Sequence, residues 1–329
     1  MKFIFPFATI FLGLASGWVF SRLSERGTVQ VSAVRAERIR LFLQRLALLG
    51  INPVAFCGAV WSLDLSNPHT FALPFVGLFA LAAGGTFGLV GSRLLRLGPD
   101  RAGVYTTCSS FTNIGNIGGL VVFLLVGEAT FALLPFYKLF EEFWYYSVLF
   151  PLARHYGAKA HPEAAAVSVG SLEGLIRVLR DPFFLVAIAG VSIGIGLNVS
   201  GIQRPAFYGR LNSFLVPSSS FILLFTIGMR IRFRIGMEDL KAAACILTSK
   251  IVLVPALAVS LATVLGLGQI EGGLKVVLVL AAMPIGFLGL VPPALFGLDE
   301  KFANSLWLVS NGALVLIIPA LSIALAAIS

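Results

Sequence analysis

Three charges stand where an apolar helix is expected to run. Lys138, Glu141 and Glu142 fall within the segment 130–152, and their i, i+3 and i, i+4 spacing puts them on one helical face. A charge in mid-bilayer costs about 2.5–3.5 kcal/mol on insertion scales unless it is paired or wet. Lys138 can neutralise one carboxylate and leaves the other over, which makes Glu141 and Glu142 candidate proton carriers. A static salt bridge near the membrane boundary accounts for the same three residues. A fourth charge, Lys250, is isolated within the segment 241–266. A flexible ammonium there suits a substrate carboxylate. The alternative is snorkelling to a membrane edge, for which its depth in the segment is unfavourable.

Two further stretches break the apolar pattern. The first reads Ser109-Ser110-Phe111-Thr112-Asn113-Ile114-Gly115-Asn116-Ile117-Gly118-Gly119, and the second reads Met283-Pro284-Ile285-Gly286-Phe287-Leu288-Gly289-Leu290-Val291-Pro292-Pro293. Proline removes a backbone donor and glycine weakens a helix. At membrane depth such interruptions survive only where protein or a wet cavity takes up the freed backbone groups. Interruptions at equivalent places in two repeats point to a transporter binding site, and half-helix N-termini aimed at one spot favour an anion. Asn113, Gly115, Asn116, Gly118, Gly119, Pro284, Gly286, Gly289 and Lys250 are therefore the candidate substrate-binding residues. Close helix packing by glycine and passive kinking by proline form the plainer explanation; the pairing of the two stretches favours the functional one.

The elements that must position these residues follow from composition. The chain has 329 residues, of which 58% are hydrophobic and 12% charged; a soluble domain carries roughly 25% charged residues. Lipid is the expected solvent for much of the exterior. Ten apolar segments can be drawn, at 3–20, 41–62, 70–91, 103–126, 130–152, 181–200, 209–229, 241–266, 273–296 and 303–328. Each is long enough to approach the roughly 20 residues of a spanning helix, and unpaired backbone cannot face lipid, so all are expected to be helical. The run 3–20 is read as the first span rather than as a signal peptide. The expected fold is an all-α membrane protein of ten transmembrane helices. It divides into a five-helix repeat at 1–152, a cytoplasmic linker at 153–180 and a second five-helix repeat at 181–329. An odd number of spans per half gives the second repeat the inverted orientation.

Charge sets the orientation. Arg22, Arg26, Arg35, Arg38, Arg40, Arg93, Arg96, Arg101, Arg154, Lys159, Arg177, Arg180, Arg230, Arg232, Arg234, Lys241 and Lys301 all follow odd-numbered spans, whereas Lys2, Arg204, Arg210 and Lys275 lie on the other side. Positive loops stay inside, so both termini are expected outside, in a multi-pass protein of the plasma (cell inner) membrane. The net charge of +9 is spread over these loops without a basic run, and nucleic acid is not an expected partner. Arg45 is expected to snorkel, Asn52-Pro53 and Ser310-Asn311 to make helix–helix hydrogen bonds, and Asp64, Asp299 and Glu300 to be solvated. Cys57, Cys108 and Cys245 are expected as buried free thiols.

Other function classes lack their residues. His69, His155 and His161 show no metal-ligand spacing. Gly194-Ile195-Gly196 lacks a third glycine, and no Walker A sequence is present, so no cofactor and no ATP-driven transport within the chain are expected. No convergent catalytic groups suggest an enzyme. A channel is disfavoured because the polar groups cluster rather than line a pore.

The interrupted stretches resemble those of the auxin efflux carrier family. Asn113, Gly115 and Gly118 match its Asn-x-Gly-x-x-Gly signature; Leu120 stands where the family has proline, and Gly118-Gly119 supply flexibility instead. Met283-Pro284, Phe296-Gly297-Leu298-Asp299 and Trp144-Tyr145 also match. The resemblance implies a fold shared with bile-acid sodium symporters. In it, broken helices 4 and 9 cross within a transport domain, which moves in an elevator-like way. The scaffold is helices 1, 2, 6 and 7, a surface through which such proteins form homodimers. It also favours Glu142 over Glu141 as the proton carrier. The implied function is secondary transport of a small organic anion such as a carboxylate, driven by a gradient or coupled to protons. The alternative is a sodium-coupled symporter of the bile-acid type, with carbonyls freed at the breaks holding sodium.

Overall fold

The structure, a computed structural model, describes residues 4–26, 31–162, 180, 182–231 and 235–327. Most of the 153–180 linker and the expected loop charges Lys2, Arg177, Arg232 and Arg234 lie outside the described residues. Among the described residues every regular element is helical and no strand forms. Six helices are long and apolar enough to cross a membrane: Phe5–Glu25, Ala33–Trp61, Pro68–Leu94, Pro99–Leu125, Phe207–Gly228 and Met237–Val264. The pair Glu300–Gly312 and Leu314–Ala327, bent by 43°, makes a seventh if taken as one span.

Two expected segments are interrupted, and the chain shows why. The segment 130–152 is divided into the short helices Glu128–Phe131, Leu134–Tyr137 and Glu141–Trp144 before a longer helix, Phe150–Ala160. Pro135 supplies no N–H there, and nearby turns close one residue early: Leu139 donates to the Phe136 carbonyl at 3.2 Å and Glu141 to that of Lys138 at 2.9 Å. The segment 273–296 is interrupted after Gly273–Ala281. The segment 181–200 forms one apolar helix, Pro182–Val199.

Proline shapes three helices in one way. A wide π turn occupies Leu46–Ile51, Tyr145–Leu149 and Ser249–Leu253, and Pro53, Pro151 and Pro255 follow directly at the start of the next α-helical stretch. A proline ring clashes with the carbonyl four residues before it, and the extra residue of a π turn relieves that clash without ending the helix.

The described helices group into two units, each drawing on both halves of the chain. One contains Met1–Ser66, Gly115–Pro135 and Asp181–Arg232; the other contains Asn67–Ile114, Phe136–Arg180 and Phe233–Ser329. Within the first, the Phe207–Gly228 helix packs closely on Ile4–Glu25, where a Cβ at Gly13 would sit 2.9 Å from that of Leu224. Asn52 and Asn212 hold helices together as expected of amides in spans: Ser219 donates to Asn52 Oδ1 at 2.5 Å, and Asn212 Nδ2 donates to the Ala55 carbonyl at 3.1 Å. Asn198 Nδ2 caps the end of the Asn52–Trp61 helix through the carbonyls of Trp61 at 2.9 Å and Leu63 at 2.6 Å.

Within the second unit, Leu73–Leu94 packs on Pro99–Ser110 through a glycine row. A Cβ at Gly84 or Gly88 would lie 2.7 Å from Ser109 atoms, so only glycine admits this approach. One charge expectation is corrected here. Asp299 is not a free solvated group: it caps the helix Glu300–Gly312 by accepting from the Phe302 N–H at 2.9 Å, and it lies 3.5 Å from Arg101. Arg101 also pairs with the buried Asp239 and lies over the Phe302 ring. Of the three thiols only Cys108 is buried; Cys57 is half-buried and Cys245 is exposed.

Candidate substrate and ion site

Two helix interruptions in the second unit pair with each other. The helix Pro99–Ser110 ends in the non-helical stretch 111–113, and Gly273–Ala281 is followed by the non-helical stretch 283–286. Asn113 donates its N–H to the Pro284 carbonyl at 2.9 Å, and Gly286 donates its N–H to the Phe111 carbonyl at 3.4 Å. The two bonds have antiparallel register, with Thr112 opposite Ile285. Each break therefore takes up backbone groups that the other frees, which is the condition for an interrupted helix to persist away from water.

The two stretches of this bridge lie close together. Phe111, Met283 and Ile285 are buried. A Cβ on Gly286 would meet the Thr112 carbonyl oxygen at 2.9 Å, so glycine is what lets the two backbones come together. The helix Glu300–Gly312 completes the break at 283–286. Ser310 Oγ accepts from the Ile285 N–H at 3.2 Å, and Asn311 Nδ2 donates to the Ile285 carbonyl at 3.0 Å. Sequence reasoning assigned Ser310 and Asn311 to general helix contacts; they serve one residue of the break.

Lys250 reaches the other break. It lies in the π turn Ser249–Leu253, is 2% exposed, and so does not snorkel. Its Nζ donates to the Phe111 carbonyl at 2.9 Å and to Thr112 Oγ1 at 2.9 Å. A cation at the C-terminal end of the Pro99–Ser110 helix meets the negative end of its dipole. Among the described residues no carboxylate forms an ion pair with Lys250.

Tyr145, first residue of the π turn Tyr145–Leu149, approaches Thr112 as well. Its hydroxyl lies 3.2 Å from both the Thr112 N and O atoms and 2.9 Å from Glu141 Oε1. A hydroxyl has one proton to give. The carboxylate is the stronger acceptor, so Tyr145 donates to Glu141 and accepts from the Thr112 N–H. Glu141 is in turn 3.1 Å from Lys138 Nζ. Lys138, Glu141, Tyr145, Thr112 and Lys250 thus form one polar chain ending at the paired breaks. Trp144 and Ser110 flank it: Trp144 Nε1 donates to Ser110 Oγ at 2.9 Å, and Ser110 Oγ donates to the Leu81 carbonyl at 2.6 Å.

The candidate residues divide accordingly. Asn113, Pro284, Gly286, Gly289 and Lys250 gather around the bridge, where a Cβ on Gly289 would be 3.3 Å from that of Phe111. Glu141, 5% exposed, joins them through Tyr145, while Glu142 is half-buried on the same short helix. Gly115, Asn116, Gly118 and Gly119 belong to the first unit. Gly118 and Gly119 are buried there, and the Asn116 carbonyl lies 3.4 Å from Ser220 Oγ. Thr112, Tyr145, Ser310 and Asn311 were not among the candidates. The i, i+4 spacing of Glu141 and Tyr145 was the available signal for one of them.

A family model described as "Membrane transport protein", that of the auxin efflux carriers, matches residues 67–322. Comparison with curated proteins yields no match.

Proposed function

The chain belongs to the auxin efflux carrier family of membrane transport proteins, and on that premise we propose that it is a secondary active transporter for a small organic anion such as a carboxylate. The paired breaks carry this reading: they hold a buried ammonium that no carboxylate among the described residues offsets, and an uncompensated positive charge beside interrupted helices favours an anionic substrate. The chain Lys138–Glu141–Tyr145, ending at Thr112, supports proton coupling, because it links titratable groups to the same breaks.

The finer architecture is part of the proposal. Ten spans form two inverted repeats, which is favoured by the way each unit takes corresponding pieces of both halves of the chain. Alternating access is of the elevator type, with the unit bearing the paired breaks as the moving part. Spans 1, 2, 6 and 7 form the scaffold and a homodimer surface. The arginine-rich loops face the cytoplasm and the protein resides in the plasma membrane.

Uptake of labelled dicarboxylates and indole-3-acetate into proteoliposomes under an imposed pH gradient, without sodium, tests the reading. Saturable uptake that ends when the gradient is collapsed is the expected result. Absence of uptake for all these anions, with or without the gradient, overturns it.

A further inference from the structure

We propose that the Lys250 ammonium is a tethered coupling cation, filling from within the chain an oxygen site at the span-4 break that a free monovalent cation would otherwise occupy. The inference deepens the transporter reading and rests on it for the word coupling; the site itself rests on geometry alone.

The ligands are the first observation. Lys250 Nζ is held by a backbone carbonyl, that of Phe111, and by a hydroxyl, Thr112 Oγ1, each at 2.9 Å. Unwound carbonyls and hydroxyls are the hard oxygen donors that bind alkali cations at interrupted membrane helices. The second observation is the lack of a countercharge. A lysine placed for stability alone would be expected to pair with a carboxylate, since burying an isolated charge costs several kcal/mol. Glu141 is the buried carboxylate of this unit nearest in the polar chain, and it is instead engaged by Lys138 at 3.1 Å and by the Tyr145 hydroxyl at 2.9 Å. The third is the route of entry. Lys250 sits in the π turn ahead of Pro255, an irregularity that re-aims one side chain and is common at functional positions.

The Lys250 nitrogen is thereby held at the C-terminal end of the Pro99–Ser110 helix throughout the cycle. A transporter relying on sodium must bind it anew each time. Here the cation cannot dissociate, so no sodium requirement follows, and the cation's charge varies only by proton exchange.

Removal of the side chain should convert the tethered site into an open one. In Lys250→Ala the Phe111 carbonyl and the Thr112 hydroxyl remain while the ammonium is lost. Thermal unfolding of purified full-length protein is measured in sodium, methylammonium and choline chlorides, choline being a bulky quaternary cation with no N–H to donate to the two oxygens. Wild type is expected to have the same Tm in all three. Lys250→Ala is expected to be destabilised in choline and to regain about 3 °C or more in sodium or methylammonium, as for any ligand that binds only the folded state. The double variant Lys250→Ala, Thr112→Val should need about tenfold more cation for the same shift, having lost one oxygen ligand.

A Lys250→Ala protein equally destabilised in all three salts overturns the proposal and leaves Lys250 a plain helix cap. A wild-type Tm raised by sodium over choline overturns it as well. Should Lys250→Ala not fold, the wild-type comparison decides: sodium independence of Tm and of anion uptake supports the proposal, and sodium dependence of either overturns it. The thermal readout needs no substrate, so failure to find a transported anion counts against the transporter reading and not against the cation site.

Discussion

The Tyr145 hydroxyl accepts a hydrogen bond from the Thr112 N–H at 3.2 Å, tying the Glu141 carboxylate to the backbone at the 111–113 break. Tyr145→Phe removes that link and little else, because the ring keeps its packing against Phe111, at 4.4 Å between centroids. A half-buried N–H is left unmet and Glu141 loses a donor. The expected cost is about 2 kcal/mol, in the range for hydrogen bonds to charged groups. It should appear as a lower Tm in detergent together with reduced anion uptake. An unchanged Tm would show that the hydroxyl is not part of the bridge's support.

The two acidic residues of the Glu141–Trp144 helix should behave unequally. Glu141 is 5% exposed and bonded to Tyr145, whereas Glu142 is half-buried. If proton coupling runs through the chain that ends at the breaks, Glu141→Gln abolishes the stimulation of uptake by a pH gradient. Glu142→Gln retains at least part of it. Initial rates in proteoliposomes with and without the gradient measure both. The reverse order would return the role to Glu142.

The sequence made the interruptions legible but not their partners. Asn113, Gly115 and Gly118, and likewise Pro284 and Gly286, stand out because proline and glycine at membrane depth violate a local rule. Which carbonyl receives the Asn113 N–H is a long-range fact: it belongs to Pro284, far along the chain. Lys250 was legible as a misplaced charge, yet a lone ammonium gives no sign whether a substrate or a helix end will meet it. Ser310 and Asn311 looked like ordinary helix contacts for the same reason. The division of 130–152 was missed because hydropathy averages over Pro135 and the early turns around it, where single hydrogen bonds decide the path.

In the first unit, Glu128 joins two elements. Its Oε1 accepts from Arg204 at 2.5 Å and from Asn212 Nδ2 at 2.7 Å, and Arg204 also donates to Ser62 Oγ at 3.0 Å. The ion pair is only partly accessible, with side-chain exposures of 15% for Arg204 and 24% for Glu128. Glu128→Ala should cost about 2 kcal/mol, since it leaves a shielded guanidinium unpaired. Arg204→Ala should cost less, and the double variant less than the sum, with a coupling of about 1 kcal/mol. Denaturation of the four proteins in matched detergent gives that term. Strict additivity would show that the pair contributes no interaction of its own.

Gly286 and Gly289 offer a graded test of the backbone bridge. At Gly286 an added methyl would meet the Thr112 carbonyl oxygen at 2.9 Å and its carbon at 3.2 Å. Both are backbone atoms, and Thr112 is fixed by the bonds from Asn113 to Pro284 and from Gly286 to Phe111. Relief requires the two breaks to part, so Gly286→Ala should cost about 2–3 kcal/mol, as overpacking against an unyielding neighbour does. At Gly289 the methyl would meet the side chains of Ile285 at 3.2 Å and Phe111 at 3.3 Å. Side chains shift by a few tenths of an ångström more easily, so Gly289→Ala should cost about 1 kcal/mol or less. Thermal unfolding of the two variants in one detergent ranks them. Equal effects would mean that the breaks at 111–113 and 283–286 are not held together by their backbones, and the placement of Lys250 would then need another support.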